Sequence, residues 1–389
     1  MRALGESAGA KCSVVVGIPV HNEEAFIGRC LAALAGQIAT DAFAVVALLN
    51  NCTDRSCAVV RGLAGQLPFR LHIHQYWLDP ACLNAGVARR LAMEHAAEYV
   101  EPGGVLMTTD ADSEVAADWI ETNLAWLSQG ADAVAGMALL DEADAARLPA
   151  ELHAAETRVI LLATLLDEID WHVDPLAHDP WPRHTEHSGA SIAVRASLFH
   201  RAGGIPAIPL GEDRAFFDQL GAIDAKIRHA PDVRVRVSGR VAGRAKGGMA
   251  DTIASRLREP DPLLDSIVEP AADRLRRAMW RRRLRQSWAS GSLSGAERIA
   301  RDLAIPLLEV GRALQSASFG RCWAMIESRS LKLQRKRIPT ALVEEAIADA
   351  ERVLQPFRTA GQLSGPADPA GIPAWPHAAA GAAAAQRAG

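Results

Sequence analysis

SVVVGIPVHNEEAFIGRCLAAL, from Ser13 to Leu34, is the stretch on which the fold turns. Its first part, Ser13 to Pro19, is a short continuous apolar run closed by a proline, the pattern of a buried strand. Its second part places Ile27, Cys30, Leu31 and Leu34 three, four and seven residues apart, which is one face of a helix. Between the two, Asn22 is placed to cap that helix, with Glu23 and Glu24 complementing its first turn. The same strand-then-helix unit recurs. Ala42 to Asn50 reads as a second strand, and Thr53 caps a helix carrying Val59, Val60 and Leu63. Leu71 to His74 reads as a third strand, Asn84 to Ala97 as a helix and Val105 to Thr109 as a fourth strand. A helix with Trp119, Ile120, Leu124 and Leu127 then leads to a fifth strand, Ala131 to Met137. Strands alternating with helices predict an α/β fold, a mostly parallel sheet flanked by helices.

Beyond this half, Pro149 opens a helix from about Ala150 to Leu166, followed by a loop rich in His, Pro and Trp from Trp171 to His187. Ser188 to Arg195 reads as a strand, Gly211 to Leu220 as a helix with an acidic start, and Lys226 to Ser238 as a half-exposed strand. From about Asp251 the period is helical, a C-terminal extension. In it, Leu275, Met279, Leu284 and Trp288 form one face of a helix whose arginines, Arg274 to Arg285, are expected to face solvent. Ser294 and Glu297 form a capping box, and Pro339 opens a last helix. These shifts divide the chain into 1–255, a helical extension over 256–360, and a Pro/Ala-rich tail over 361–389 expected to be flexible.

Composition narrows the function classes. Of the 389 residues, 49% are hydrophobic and 23% charged, with a formal net charge of -4, which suits a folded protein and disfavours a globally basic nucleic-acid binder. Aromatics at 5% leave little for base-stacking platforms. The six cysteines form no C-x-x-C pair, so reduced thiols and a cytoplasmic location are expected. The longest apolar run, Val159 to Leu166, falls far short of the roughly 20 residues a membrane span requires.

The turn after the first strand reads GIPVHNEE, without the glycines of a dinucleotide site, and no Walker A sequence occurs. Polar clusters instead fall at the carboxyl ends of the strands, where open α/β sheets bind ligands: His21-Asn22-Glu23, Asn50-Asn51 and Asp110-Ala111-Asp112. Two carboxylates at a strand end make a hard oxygen site suited to Mn²⁺ or Mg²⁺, which bridges a diphosphate and stabilises its departure. An isolated D-x-D triplet equally serves to solvate a loop, and Glu212-Asp213 equally complements a helix N-terminus.

Taken in order, VVVGIPVHNEE, LLNNCTD, MTTDAD and Gly211-Glu212-Asp213 resemble the motif series of the family 2 glycosyltransferases over roughly residues 12–250. That resemblance implies the glycosyltransferase A fold and a nucleotide-sugar-binding, metal-binding transferase, with hexosyl transfer and inversion at the anomeric carbon. It implies that Pro19, His21 and Glu23 line the nucleoside pocket and that Asn50 and Asn51 contact the base. It implies that Asp110 touches ribose or metal, that Asp112 is the main metal ligand, and that Asp213 is the general base with Glu212 beside it. Asn50 and Asn51 depart from a pair of aspartates common in the family. An amide accepts a base N–H without charge and also donates, which leaves UDP and GDP donors both open. A sugar hydroxyl needs a positioned carboxylate to remove its proton, which agrees with the role given to Asp213.

Arg240 and Arg244, in SGRVAGRAKGG, are placed to neutralise a diphosphate or an anionic acceptor. His172, His178, His184 and His187 match no zinc spacing, and Arg183 and His187 are read as acceptor-side groups, a polar surface loop with satisfied histidines being the equal alternative. The expected partners are a UDP or GDP sugar and a small soluble hydroxyl acceptor, with no nucleic acid and no integral membrane segment. The helical extension is read as shaping the acceptor pocket or a homodimer interface. The rival readings are a nucleotidyltransferase, which would want a basic glycine-rich loop where HNEE stands, and a non-catalytic nucleotide-sugar-binding protein.

Overall fold

The computed structural model describes residues 11–38, 42–79, 82–240, 249–259 and 261–362. The chain forms two compact units, one reaching to Asp141 and resuming over Glu186–Ala254, the other made of Glu142–Thr185 and the chain from Ser255 onward. The first unit begins β1 (Cys12–Val20), α1 (Ile27–Ala35), β2 (Phe43–Asn50), α2 (Ser56–Leu63), β3 (Arg70–Tyr76) and α3 (Ala85–Tyr99). It continues β4 (Val100–Thr108), β5 (Ser113–Val115), α4 (Trp119–Ser128) and β6 (Ala133–Leu140). After α5 (Glu142–Ala145) and α6 (Ala150–Val173) of the second unit, it resumes with β7 (Ile192–Arg195), α7 (Ala196–Ala202), α8 (Glu212–Ala222) and β8 (Ile227–Val237). The chain then runs through α9 (Met249–Arg258), α10 (Ala271–Ala289), α11 (Ala296–Leu303), α12 (Leu307–Leu314), α13 (Phe319–Arg329) and α14 (Val343–Gln362).

The eight strands form one sheet in the order β3-β2-β1-β4-β7-β6-β8-β5. β1 runs parallel to β2 and β4, β2 to β3, and β6 to β8, while β7 is antiparallel to both its neighbours and β5 to β8. The expected mostly parallel α/β sheet with a helical C-terminal region is thus what the chain adopts. Alternation along β1 and β2 supplies both faces of the core. Val14, Val16, Ile18 and Val20 pack with Ile27, Cys30, Leu31 and Leu34 of α1, whereas Val15 packs with Met93 and Ala96 of α3. Burying side chains such as Ile27, Leu31 and Leu34 stabilises by about 1.5–3 kcal/mol each. Gly17 permits the close seat of α3, because a Cβ there would lie 2.9 Å from the carbonyl oxygen of Ala92.

Several local expectations are corrected. β1 continues past Pro19 to Val20. The missing N–H is tolerated because pairing to β4 stops at Gly17–Thr108, leaving only β2 alongside Pro19. Asn22 does not cap α1, which begins after Phe26, and Thr53 does not cap α2, which begins after Arg55. The Ser294–Glu297 capping box is not formed, since Gly295 stands at the N-cap of α11 without a side-chain bond. β5, three residues long and closely following the D-x-D triplet, is too short to show a strand pattern in the sequence.

In the second unit, α6 buries Leu162, Leu165, Leu166, Ile169 and Val173 in a core shared with Ala271 and Ala278 of α10 and with Ala350 and Leu354 of α14. The arginine face of α10 is solvated only in part, at Arg276 and Arg282, contrary to expectation. Arg274 and Arg277 are buried, and Met279 is exposed instead. The reason is the acids that meet it, Glu269 at 3.1 Å from Arg277 and a row along the end of α6 and its C-cap. Arg274 lies 3.0 Å from Asp167 and 2.9 Å from Asp170, and Arg281 and Arg285 lie 2.8 and 2.9 Å from Asp174. Buried charges persist where opposite charges and hydrogen bonds meet them. No helix among the described residues is long and apolar enough to cross a membrane. Residues 363–389, the bulk of the expected tail, lie outside the described residues.

Candidate active site

Strand order reverses at β1, with β2 on one side and β4 on the other, the kind of switch point beside whose carboxyl ends open α/β sheets bind ligands. Two loops there brace each other. Asn22, at φ 55°, accepts from the amides of Thr53 at 2.7 Å and Asp54 at 3.3 Å. The amide of Glu24 donates to Asp54 at 3.0 Å, that of Arg55 donates to Glu24 at 2.8 Å, and that of Glu23 donates to Ser56 Oγ at 2.8 Å. The polar HNEE and NCTD segments are therefore one structure built from two distant stretches.

Asn50, the last residue of β2, is buried, and its Oδ1 has no hydrogen-bond partner among the described residues. A buried acceptor without a donor is costly and marks a place where a donor is wanted. His21 Nδ1 lies 2.8 Å from the carbonyl oxygen of Asn50 and therefore carries the proton, since a carbonyl only accepts. Asn51 is differently employed. Its Oδ1 accepts from the amide of Leu78 at 2.8 Å and its Nδ2 donates to the carbonyl of Leu78 at 2.9 Å, so its amide extends the β2–β3 pairing by one step. Pro19 is half-buried in β1 two residues before His21.

Asp110 and Asp112 follow β4. The guanidinium of Arg240, three residues beyond β8, bridges two of the acids gathered here. It donates to both oxygens of Glu23 at 2.7 Å and reaches Asp112 at 3.0 Å. Burial, then the charge of Asp110, push the Asp112 carboxyl up to about 6 against the pull of Arg240. Cys30 donates to the carbonyl of Asp110 at 3.4 Å, and burial, followed by the charges of Asp112 and Asp110, raises its thiol well above the usual range, so it is an inert neighbour. Among the described residues no three His, Cys, Asp or Glu side chains converge on one point. Two carboxylates, each spending one oxygen on an arginine, nonetheless keep oxygen donors of the kind a hard cation takes. The residues present fit such an ion.

Arg89, which the sequence reading passed over, sits at the centre. It is buried on α3, with Nε 3.0 Å from Glu212, Nη2 2.7 Å from Asp110, and Nη1 2.7 Å from the carbonyl of Gly189 and 3.3 Å from Thr108 Oγ1. Burial opposes its charge, but Asp110 and Glu212 outweigh it and hold Arg89 protonated. Glu212 is itself buried. Asp213, at the first turn of α8 and half-buried, accepts from the amide of Gly189 at 2.9 Å. The signal for Arg89 was its register: it stands three, four and seven residues before Ala92, Met93 and Ala96, all on the buried stripe of α3.

The remaining candidates have partners of their own. His187 stacks on Phe217, ring centroids 4.4 Å apart, with its Nε2 3.1 Å from that of His229. Arg183 belongs to the helical unit, where it pairs with Asp179 at 3.1 Å. His172 and His184 belong to that unit too, and His187 to the sheet unit. Arg244 lies outside the described residues.

Residues 15–179 match the family described as Glycosyl transferase family 2. Among solved structures, the chain is similar to S. aureus TarS 1-349 in complex with UDP-GlcNAc, at 16% identity and a TM-score of 0.44, over 81% of this chain and 90% of that one. It spans 55% of the longer S. aureus TarS chain, matching over 88% of its own length at 17% identity and a TM-score of 0.42. Mannosyltransferase PcManGT from Pyrobaculum calidifontis, in complex with GDP-Man and Mn2+, matches at 17% identity and a TM-score of 0.42, over 91% of this chain and 84% of that one. No curated protein matches the chain.

Proposed function

We propose that this chain, which carries a family 2 glycosyltransferase domain over residues 15–179, moves a sugar from a nucleoside-diphosphate donor to a hydroxyl acceptor with inversion, in a reaction that depends on a divalent cation. The observation that supports this best is the meeting of Asp110 with Glu212 and Asp213 around one buried guanidinium at the carboxyl end of the sheet. The family match ends before Glu212, so the acidic pair at α8 is independent of it.

The roles follow from placement. Asn50 Oδ1, a buried acceptor lacking a donor, suits an N–H on the edge of a nucleobase. Asn51, both of whose amide atoms serve Leu78, is a better strut than base contact. Asp112, with Asp110, would hold Mn²⁺ or Mg²⁺, whose chemistry is to neutralise charge on the departing diphosphate. Arg240 leans on the same carboxylate and supplies a second cationic group for that charge. Asp213 takes the acceptor proton: each oxygen meets one backbone amide, and a carboxylate retains further lone pairs. Direct displacement by a deprotonated hydroxyl from the face opposite the diphosphate inverts the anomeric carbon.

A panel of UDP and GDP sugars, with and without Mn²⁺ or Mg²⁺, tests the proposal by thermal shift and by release of nucleoside diphosphate. Metal-dependent stabilisation by one nucleotide, with slow donor hydrolysis, is expected. A protein that binds none of them, or that binds but never cleaves, is not this enzyme.

A further inference from the structure

We propose that Arg89 is a positioning residue that ties the donor-side carboxylate Asp110 to the acceptor-side pair Glu212–Asp213, an inference that rests on the function proposed above. An arginine on the buried stripe of α3 is not explained by packing. The stripe is otherwise Gly86, Ala88, Ala92, Met93 and Ala96, and desolvating a guanidinium is unfavourable unless its N–H groups are met. Here they are met in a particular way. Arg89 reaches four partners from three places in the sequence: Asp110 and Thr108 after and within β4, Gly189 before β7, and Glu212 at α8. The fork of a guanidinium is planar and rigid, so fixing any two of these partners fixes the directions of the others.

Besides the bond to Glu212, the neighbour of the base, one link to Asp213 passes through a single residue. The carbonyl of Gly189 accepts from Arg89 at 2.7 Å, and its amide donates to Asp213 at 2.9 Å. A Cβ at Gly189 would lie 2.3 Å from Nη2 of Arg89 and 2.4 Å from its Cζ, so the guanidinium occupies the space a side chain would need. A Cβ at 189 and the guanidinium cannot share this space, and the segment that anchors Asp213 is held by the same contact. Lysine, a point charge with three donors on one nitrogen, keeps the charge and loses the fork. Arg89 touches no reacting atom in this scheme. Its work is to hold the base and the donor carboxylate in one frame, where misplacement by an ångström costs about 10²-fold in rate.

The test uses Arg89→Lys in the full chain, with Gly189→Ala as the second variant because it displaces the guanidinium without altering it. Three quantities are read: deuterium exchange of the peptide spanning His187–Ile192 against that of β2, the Kd for nucleoside diphosphate with Mn²⁺, and kcat. Both variants are expected to speed exchange of that peptide about tenfold while β2 stays native, to weaken the Kd, and to lower kcat about 10²-fold. Combining Arg89→Lys with Glu212→Gln should add little to either single change, since both break one network. A merely structural role would lower Tm and leave kcat and Kd per folded molecule unchanged. Exchange at the native rate in both variants overturns the inference, as does normal kcat with normal Kd. If the unaltered protein binds no nucleotide, the transfer reading falls, and the exchange measurement still decides the positioning role.

Discussion

Glu212 and Asp213 are adjacent in sequence and opposite in surroundings. Glu212 is buried against Arg89, whereas Asp213 is half-buried and anchored by one amide of the 187–192 segment. Asp213→Asn preserves shape and loses the proton acceptor, so kcat should fall by about 10²–10⁴ while the Kd for nucleotide changes little. Glu212→Gln should cost less in kcat and more in stability, because it leaves a buried guanidinium short of an anion. Steady-state kinetics with titration calorimetry on both variants checks this, and a dead Glu212→Gln beside an active Asp213→Asn would exchange the roles. Both carboxylates were legible in the sequence, because Gly-Glu-Asp follows the other motifs in order. Arg89 was not, because a helical arginine faces water by default and only its register with Ala92, Met93 and Ala96 signalled otherwise.

The pairing of α6 with α10 carries the charge logic of the helical unit. Burial pushes the Asp167 carboxyl up to about 6, against Arg274 and Arg183, while Asp170 and Asp174 are held below the ordinary carboxylate range. A raised folded value means that the folded state binds this proton more tightly than the unfolded chain. The contribution of Asp167 to stability is therefore present at low pH and is lost as pH rises from about 4 through about 6. Asp170 and Asp174 contribute in the opposite sense, above about 4, and their share is lost on acidification. Asp167→Asn should flatten the fall in stability between pH 4.5 and 6.5, measured by urea unfolding at a series of pH values. An unchanged profile would show that Asp167 stays ionised throughout. The helices were legible from their period, but the burial of Arg274 and Arg277 was not, because α10 read alone does not reveal the acids of distant segments that meet them.

At the scale of the molecule, ligand binding and folding are linked. A nucleotide held with its cation at a hundred times its Kd stabilises the folded state by about 2.7 kcal/mol. Asp112→Ala should keep the fold, since Asp112 lies in a loop beyond β4, and should lose the part of this stabilisation that requires Mn²⁺. Thermal melts with nucleotide, with Mn²⁺ and with both compare the two proteins. An identical metal-dependent shift in Asp112→Ala would remove this carboxylate from the cation site. The two units are interleaved along the chain, the segment Glu142–Thr185 packing with the helices that follow Ser255. Nothing in the helical period of α6 states which core its apolar stripe will join.

The sequence alone determined the layered α/β sheet and the polar clusters at one end of it, because both depend on local pattern. Continuous apolar runs alternate with amphipathic helices, and polar clusters stand where the strands stop. It also determined the acids at the site, whose types and order survive any detail of packing. Only the tertiary structure decided how those acids are partnered. Glu23 and Asp112 share Arg240 across more than a hundred residues of chain, and Asp110 and Glu212 share Arg89, 21 residues from the one and 123 from the other. Asn50 is left with an acceptor unmet while Asn51 is spent on Leu78. Hydrogen bonds and ion pairs act over a few ångströms in space without regard to separation in sequence, so which polar groups are used and which remain for a ligand is written only in the folded chain.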